Sequence, residues 1–218
     1  MRILLLSDAN SIHTKRWVRS LSEKGISIFL FSRDACRDNF YDSLSCVKVY
    51  GFTTLENAKG RVHQGALKKA LHYFPLLIRL RKAIREFKPD IVHAHYACIY
   101  GIYGSLCGFH PYVLSVWGSD IYDFPEESGF NKKLIQFVLR KADVLLSTSY
   151  AMADQTRKYT SKAIEVTPFG VDTGLFFPHE KKPHPDGGLV IGTVKTLLPK
   201  YGIDTLINAF SILKQNNP

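Results

Sequence analysis

Three short stretches of this 218-residue sequence place side chains able to do chemistry close together. The first is Asp8-Ala9-Asn10-Ser11-Ile12-His13-Thr14, a polar run between an apolar segment and an amphipathic one. Ser11 and Thr14, with the free amides of a helix start, can hold an anion or a hydroxyl-rich ligand; the same residues also make an ordinary N-cap. The run contains no glycine, which argues against a dinucleotide fingerprint and an NAD site. In the second stretch, IVHAHY, His93 and His95 stand two residues apart and so share one face of a strand. No Cys, His or carboxylate pattern completes a metal site around them, so packed, hydrogen-bonded histidines are the plainer account. His95 and Tyr96, nearest the carboxyl end of the strand, are the better ligand candidates. In the third, Trp117-Gly118-Ser119-Asp120, the glycine allows a sharp turn and close backbone approach, while Ser119 and Asp120 can accept from sugar hydroxyls or cap the next segment. Asp120 and His95 are the candidate catalytic groups, and His13, His95, Trp117 and Asp120 are expected to line one cleft.

Position along the chain explains why these stretches should meet. Apolar, β-rich runs at Ile3–Ser7, Ile26–Ser32, Val47–Tyr50, Asp90–Tyr96, Tyr112–Trp117, Asp143–Ser149 and Ala163–Thr167 read as strands. Helical spacing is expected over Thr14–Lys24, from about Ala66 to Phe87, over Ile99–Gly108 and over Asn131–Lys141, with Pro75 breaking or kinking the long one. Strands that are apolar throughout, separated by helices, indicate a mostly parallel sheet covered on both faces: a doubly wound, Rossmann-like α/β domain. Ligands of such sheets bind beyond the carboxyl ends of the strands, and each of the three stretches lies at or just past such an end. The expected organisation is a domain over 1–178, a linker over 179–188 rich in Pro, Gly and charge, and over 189–218 the start of a second domain. That start comprises a strand, Leu189–Val194, and a helix, Ile203–Lys214.

Composition narrows the classes further. A hydrophobic content of 45% supports a sizeable core. The first apolar run, Ile3 to Leu6, is too short for a signal peptide core or a membrane span, so a cytoplasmic location is expected. Cys36, Cys46, Cys98 and Cys107 form neither a CxxC pair nor a zinc pattern and read as reduced thiols. The net charge of +10 is concentrated: Lys59–Lys88 holds nine Lys or Arg against the single Glu86. Such a block meets an anionic membrane, nucleic acid or only water, and an amphipathic helix with Leu71, Phe74, Leu77 and Ile78 on its packed side accounts for it equally well.

Taken in order, LLLSDANSIHTKRWVRSLSEKG, IVHAHYA, LSVWGSDIYDFP, TPFGVDTGLFFP and IGTVKTLLPKYGIDTLINAF resemble the retaining group 1 (family 4) glycosyltransferases of the GT-B fold, across essentially the whole chain. The resemblance implies two Rossmann-like domains facing a cleft. The acceptor sits on the N-terminal one, with Asn10, Ser11, His13, Thr14, Tyr96, Trp117, Gly118 and Ser119 as candidate contacts. The nucleotide-sugar sits mostly on the C-terminal one, and no metal is expected. In relatives an Arg and a Lys five residues apart grip the donor diphosphate; here Lys195 and Lys200 have that separation, with Lys in place of Arg and Tyr201 intervening before Gly202. Many relatives carry a histidine before the strand-five glycine, where this chain has Trp117, so no catalytic histidine carries over there. The family's paired glutamates, eight apart and deep in the second domain, do not occur in this sequence. The implied activity is transfer of a hexose from a nucleotide-sugar to a lipid-linked or polysaccharide acceptor, with attachment to an anionic membrane through Lys59–Lys88 and no role for nucleic acid. A binding module without turnover and a GT-B sugar epimerase are the alternatives.

Overall fold

The computed structural model describes residues 1–53, 66–178 and 190–216; for residues 52, 53, 66–73, 200 and 216 it describes the backbone alone. Contacts divide the chain into two compact units, Met1–Gly170 and Val171–Pro218. In the first, seven strands form one parallel sheet in the order β3-β2-β1-β4-β5-β6-β7. They are β1 Arg2–Leu6, β2 Ser27–Asp34, β3 Val47–Thr53, β4 Ile91–His95, β5 Tyr112–Val116, β6 Val144–Ser147 and β7 Ile164–Val166. Each falls on one of the expected apolar runs. The reason is visible in β1, where Ile3, Leu4, Leu5 and Leu6 are all buried. Leu4 and Leu6 join the larger core with Leu80, Tyr103 and Val138; Leu5 points the other way, into a smaller core with Val18 and Leu30. Alternate residues thus serve two apolar layers, and the strand carries no polar face.

The helices are α1 Ile12–Ser22, α2 Ala66–Phe87, α3 Ile102–Cys107, α4 Ser119–Tyr122, α5 Gly129–Lys141 and α6 Tyr150–Arg157. Three departures from the sequence reading matter. Pro75 lies inside α2 without ending it: a proline removes one backbone bond, and the buried Leu76, Leu80 and Ala83 hold the following turns against the core. Helix α6 was not expected. Its signal is the Ser149 N-cap, whose hydroxyl accepts from the Met152 amide at 3.2 Å, and its apolar stripe is only Met152 and Ala153. The expected helix over Ile99–Gly108 begins earlier and differently, as a π-helical turn over Tyr96–Gly101 that passes into α3. Gly104 lets α3 lie against the sheet, because a Cβ there would overlap the Tyr112 ring.

The second unit is described by itself. Asp172 accepts from the Gly174 and Leu175 amides in a tight turn. A 3-10 turn over Pro199–Tyr201 precedes α7, Ile203–Asn216, with Gly202 in the left-handed conformation at φ 60. The strand expected over Leu189–Val194 does not form over 190–194, and Leu189 lies outside the described residues. A parallel strand exists only through a neighbour's amides and carbonyls, and no described strand pairs with this segment. The expected linker, 179–188, also lies outside the described residues.

Candidate functional site

The chain leaves β1 towards β2 on one side and returns through β4 on the other, so the sheet has its topological switch between β1 and β4. Beyond the carboxyl ends of these two strands lies an open pocket of about 320 Å³, lined by Ser7, Asp8, Ser11, Arg33, His95, Tyr96, Ile99, Tyr100 and Trp117. This is where a doubly wound sheet leaves room for a ligand.

His95 forms part of the floor and has no exposed surface. Its Nδ1 lies 3.1 Å from the Ser7 hydroxyl, which in turn lies 2.6 Å from the Thr14 hydroxyl. Its Nε2 is buried and has no hydrogen-bond partner among the described residues. Rings surround it: Trp17 at 5.4 Å, His93 at 4.5 Å and Trp117 at 4.6 Å between centroids. Burial, joined by the neighbouring His93 and His13, holds the His95 imidazole well below the ordinary histidine range. His93, whose Nε2 is 2.8 Å from Ser115 Oγ, is pushed down to about 4 by burial. Both are neutral at physiological pH. His93 is therefore the packed histidine of the pair, and His95 the one at the pocket.

The wall is built by a strained turn. Tyr96 has φ 75, a left-handed conformation that costs a side-chain-bearing residue about 1–2 kcal/mol, and it opens the π-helical turn. The turn lets the chain leave β4 with Tyr96 and Ile99 at the pocket while Ala97 and Tyr100 are buried. The Tyr96 hydroxyl lies 2.6 Å from Ser119 Oγ, tying this wall to the loop after β5. There Gly118, at φ 150, takes a conformation open only to glycine and allows the Trp117–Ser119 corner.

The candidate residues divide into those that face the pocket and those that build it. Ser11, Tyr96 and Trp117 line it, and Ser11, at the N-cap of α1, makes no side-chain capping bond among the described residues. His13 stacks on Phe169 at 3.8 Å and meets Trp117 edge-on at 5.7 Å. His13, His95 and Trp117 therefore gather at one edge, as expected. Burial and the nearby Arg16 lower the His13 pKa, and its buried Nδ1 is unpartnered among the described residues. Ser119 is exposed beside Tyr96.

Asp120 does different work from the catalytic role considered for it. It has no exposed surface, and its oxygens accept from the backbone amides of Ala97 at 2.8 Å, Trp117 at 3.1 Å and Gly118 at 2.7 Å. Burial raises its pKa, against the pull of those amides. It is a clamp joining the π-helical turn to the β5 loop. Asn10 is likewise spent on backbone: its amide donates to Ala35 O and its carbonyl accepts from Arg37 N. Thr14 is buried against Ser7 rather than open to the pocket. Arg33 and Tyr100 line the pocket and went unnoticed in the sequence; the only signal for Arg33 was its place at the end of β2. In the second unit Lys195 Nζ sits 5.2 Å above the Tyr201 ring, while the Lys200 side chain lies outside the described residues. Among the described residues no group of His, Cys, Asp or Glu is arranged to hold a metal ion.

Comparison with known proteins locates this architecture. A family model described as "Glycosyl transferase 4-like" matches residues 2–149. Over 100 residues the chain is 28% identical to the putative teichuronic acid biosynthesis glycosyltransferase TuaC of Bacillus subtilis (strain 168), covering 44% of this chain and 26% of that protein. HepE of Anabaena, solved with UDP and glucose, superposes with a TM-score of 0.56 at 17% identity, over 83% of this chain and 47% of its own. Sucrose-phosphate synthase of Thermosynechococcus elongatus superposes with a TM-score of 0.58 at 15% identity, over 82% and 50%. The chain thus spans about a quarter of the length of TuaC and about half of the two solved chains. At such identities the structural likeness concerns the fold, the Rossmann-like half of a GT-B architecture.

Proposed function

The chain belongs to the glycosyl transferase 4-like family, and on that premise we propose that its Met1–Gly170 unit is the acceptor-side domain of a retaining glycosyltransferase, moving a hexose from a nucleotide-sugar to a lipid-linked or saccharide acceptor. The observation that carries the reading is the pocket at the β1/β4 switch. Its Trp117 and Tyr96 walls offer ring faces to a pyranose, and Ser11 and Asp8 offer hydroxyl and carboxylate partners to its hydroxyls. With the histidines neutral and Asp120 committed to backbone, the domain's contribution is orientation of the acceptor hydroxyl. Charge developing on the departing diphosphate falls to Lys195 and Lys200, without a metal in this reading. UDP, held by HepE, is the first nucleotide to try, and a cell-envelope polysaccharide, suggested by TuaC, the first acceptor.

The acceptor's membrane is a partner in the same proposal. The fully packed side of α2 is Leu76, Leu80 and Ala83; of the residues expected to pack, Leu77 does so in part, while Phe74 and Ile78 are 63% and 53% exposed. They share the solvent side with Arg79, Arg81, Lys82 and Arg85, an arrangement suited to an anionic lipid surface. Of the block's other cations, Lys88 is exposed just after α2, Lys59 and Arg61 lie outside the described residues, and so do the side chains of Lys68, Lys69 and Leu71. Among the described residues no helix is long and apolar enough to cross a membrane.

The test is to incubate the full-length parent protein with a panel of radiolabelled nucleotide-sugars and a lipid extract, then determine the anomeric configuration of the product. Transfer with retention is expected, and none from the 218-residue chain alone. Inverted product overturns the retaining assignment. Epimerised nucleotide-sugar without an acceptor product identifies the epimerase instead, and glycoside binding without turnover identifies a binding module.

A further inference from the structure

The carboxyl-edge pocket has a neighbour of different character. An open groove of about 350 Å³ lies between α2 and the π-helical turn with its continuation into α3, walled by the hydrocarbon side chains of Phe74, Leu77, Ile99, Ile102 and Leu106. Cys98 and Tyr103 complete it, and no charged side chain belongs to its described lining. Burial pushes the Cys98 thiol up to about 12, so it too is uncharged at physiological pH. Ile99 lines both this groove and the pocket of Ser11, Tyr96 and Trp117, so the two spaces meet at one side chain. The π-helical turn joins them: it carries Tyr96 to the pocket, Cys98 to the groove and Ile99 to both.

The occupant follows from what borders the groove. One end adjoins a polar pocket suited to a sugar. Along α2, Arg81 follows Leu77 by one turn and donates to Leu106 O at 2.9 Å, and Lys82 and Arg85 continue exposed beyond it. A ligand that fits all three surroundings is amphipathic, with hydroxyls at one end, a hydrocarbon chain next, and an anionic surface beyond. A wholly polar ligand would gain nothing from hydrocarbon walls, and a second copy of this chain would bring a net charge of +10 towards the same cations. Resting on the acceptor reading above, we propose that the groove binds the hydrocarbon chain of a lipid-linked acceptor whose sugar occupies the adjoining pocket. The chain passes Ile99, lies between α2 and α3, and leaves towards the lipid surface that the cations of α2 suit. Burial there removes apolar surface of chain and walls from water, and the bound chain tethers the sugar at the pocket.

Methyl NMR spectra of the 218-residue chain, labelled at Ile and Leu, test this with methyl, butyl, hexyl and octyl β-D-glucosides below their micelle-forming concentrations. Affinity should rise roughly two- to fourfold for each added methylene until the groove is filled. Octyl glucoside should move the methyl resonances of Ile99, Ile102 and Leu106, and methyl glucoside should leave those of Ile102 and Leu106 in place. Leu106→Gln and Phe74→Gln alter exposed residues, so the fold should hold. Each should weaken octyl glucoside severalfold without weakening methyl glucoside. An affinity independent of chain length, shifts only outside the groove, or octyl glucoside binding unchanged in both variants overturns the proposal. Octylphosphocholine bound as tightly as octyl glucoside makes the groove a site for any membrane lipid and overturns the acceptor as its occupant. Groove resonances that move with protein concentration alone assign it to a second copy of the chain and overturn the proposal likewise. Absence of transfer by the parent protein, with the chain-length and variant results intact, counts against the transferase reading alone.

Discussion

The carboxyl-edge pocket and the flank of α2 use polar residues in opposite ways. At the pocket, His93, His95, Ser7, Thr14 and Asp120 are buried and tied to one another or to backbone amides. Along α2, Arg81, Lys82 and Arg85 stay in water, and their contacts are loose: Lys82 meets Glu86 at 3.7 Å, and Arg81 donates to Leu106 O at 2.9 Å across a surface. Direction is worth having where a small ligand must be held in one orientation, and burial supplies it by making every unmade bond expensive. A flat, charged partner needs no such direction, and exposed flexible cations suit it. The difference teaches that pocket residues double as scaffold, while flank residues do not.

Replacing Asp120 tests that lesson most severely. Asp120→Ala should lower stability by about 4 kcal/mol, since it strands three buried amides; Asp120→Asn, which keeps one acceptor oxygen, should lose less. Chemical denaturation measures both. A stable Asp120→Ala chain with an intact pocket would return Asp120 to the list of ligand contacts. The buried histidines come next. His93 is held near 4 in the native state and titrates at about 6.5 when unfolded. Between those values the unfolded chain binds a proton that the native one refuses, so stability rises with pH and is lost on acidification, by about 3 kcal/mol across the window. His95 acts in the same direction, while the raised Asp120 opposes it at the acid end. Denaturation midpoints from pH 7 down to 4 should therefore fall steeply, and His93→Gln should flatten the curve. The smallest effect on the fold should come from α2. Reversing Arg79, Arg81 and Lys82 to Glu should change stability by less than about 1 kcal/mol, yet abolish the excess of binding to phosphatidylglycerol vesicles over neutral ones. In the unaltered chain that excess should fall as salt rises. Vesicle binding that survives the reversal would make the flank a solvated face and remove the contrast.

Much of the fold could be read from the chain. Runs such as ILLL at β1 and IVHAH at β4 are apolar or small enough to be buried on both sides, which only a parallel sheet between helices provides. In such a sheet all carboxyl ends lie along one edge, so the residues just after each run were bound to gather there. Part of the candidate pocket was therefore legible, in Ser11, His95, Tyr96 and Trp117, whereas Arg33 and Tyr100 were not.

What each residue does at that edge was not legible, because it depends on partners far away in sequence. Asn10 is engaged by Ala35 and Arg37, Asp120 by Ala97, and His95 by Ser7, 88 positions earlier. The side chain of Asp120 offers the same two oxygens whether it meets a sugar or three amides. By its apolar spacing the sequence determined the sheet, its covering helices and the edge at which polar residues collect. Only the tertiary structure decided which of them face the pocket and which are consumed in holding it, since a hydrogen bond is satisfied by whatever donor the fold brings within 3 Å, and that choice is made by the packing of strands that the chain visits many residues apart.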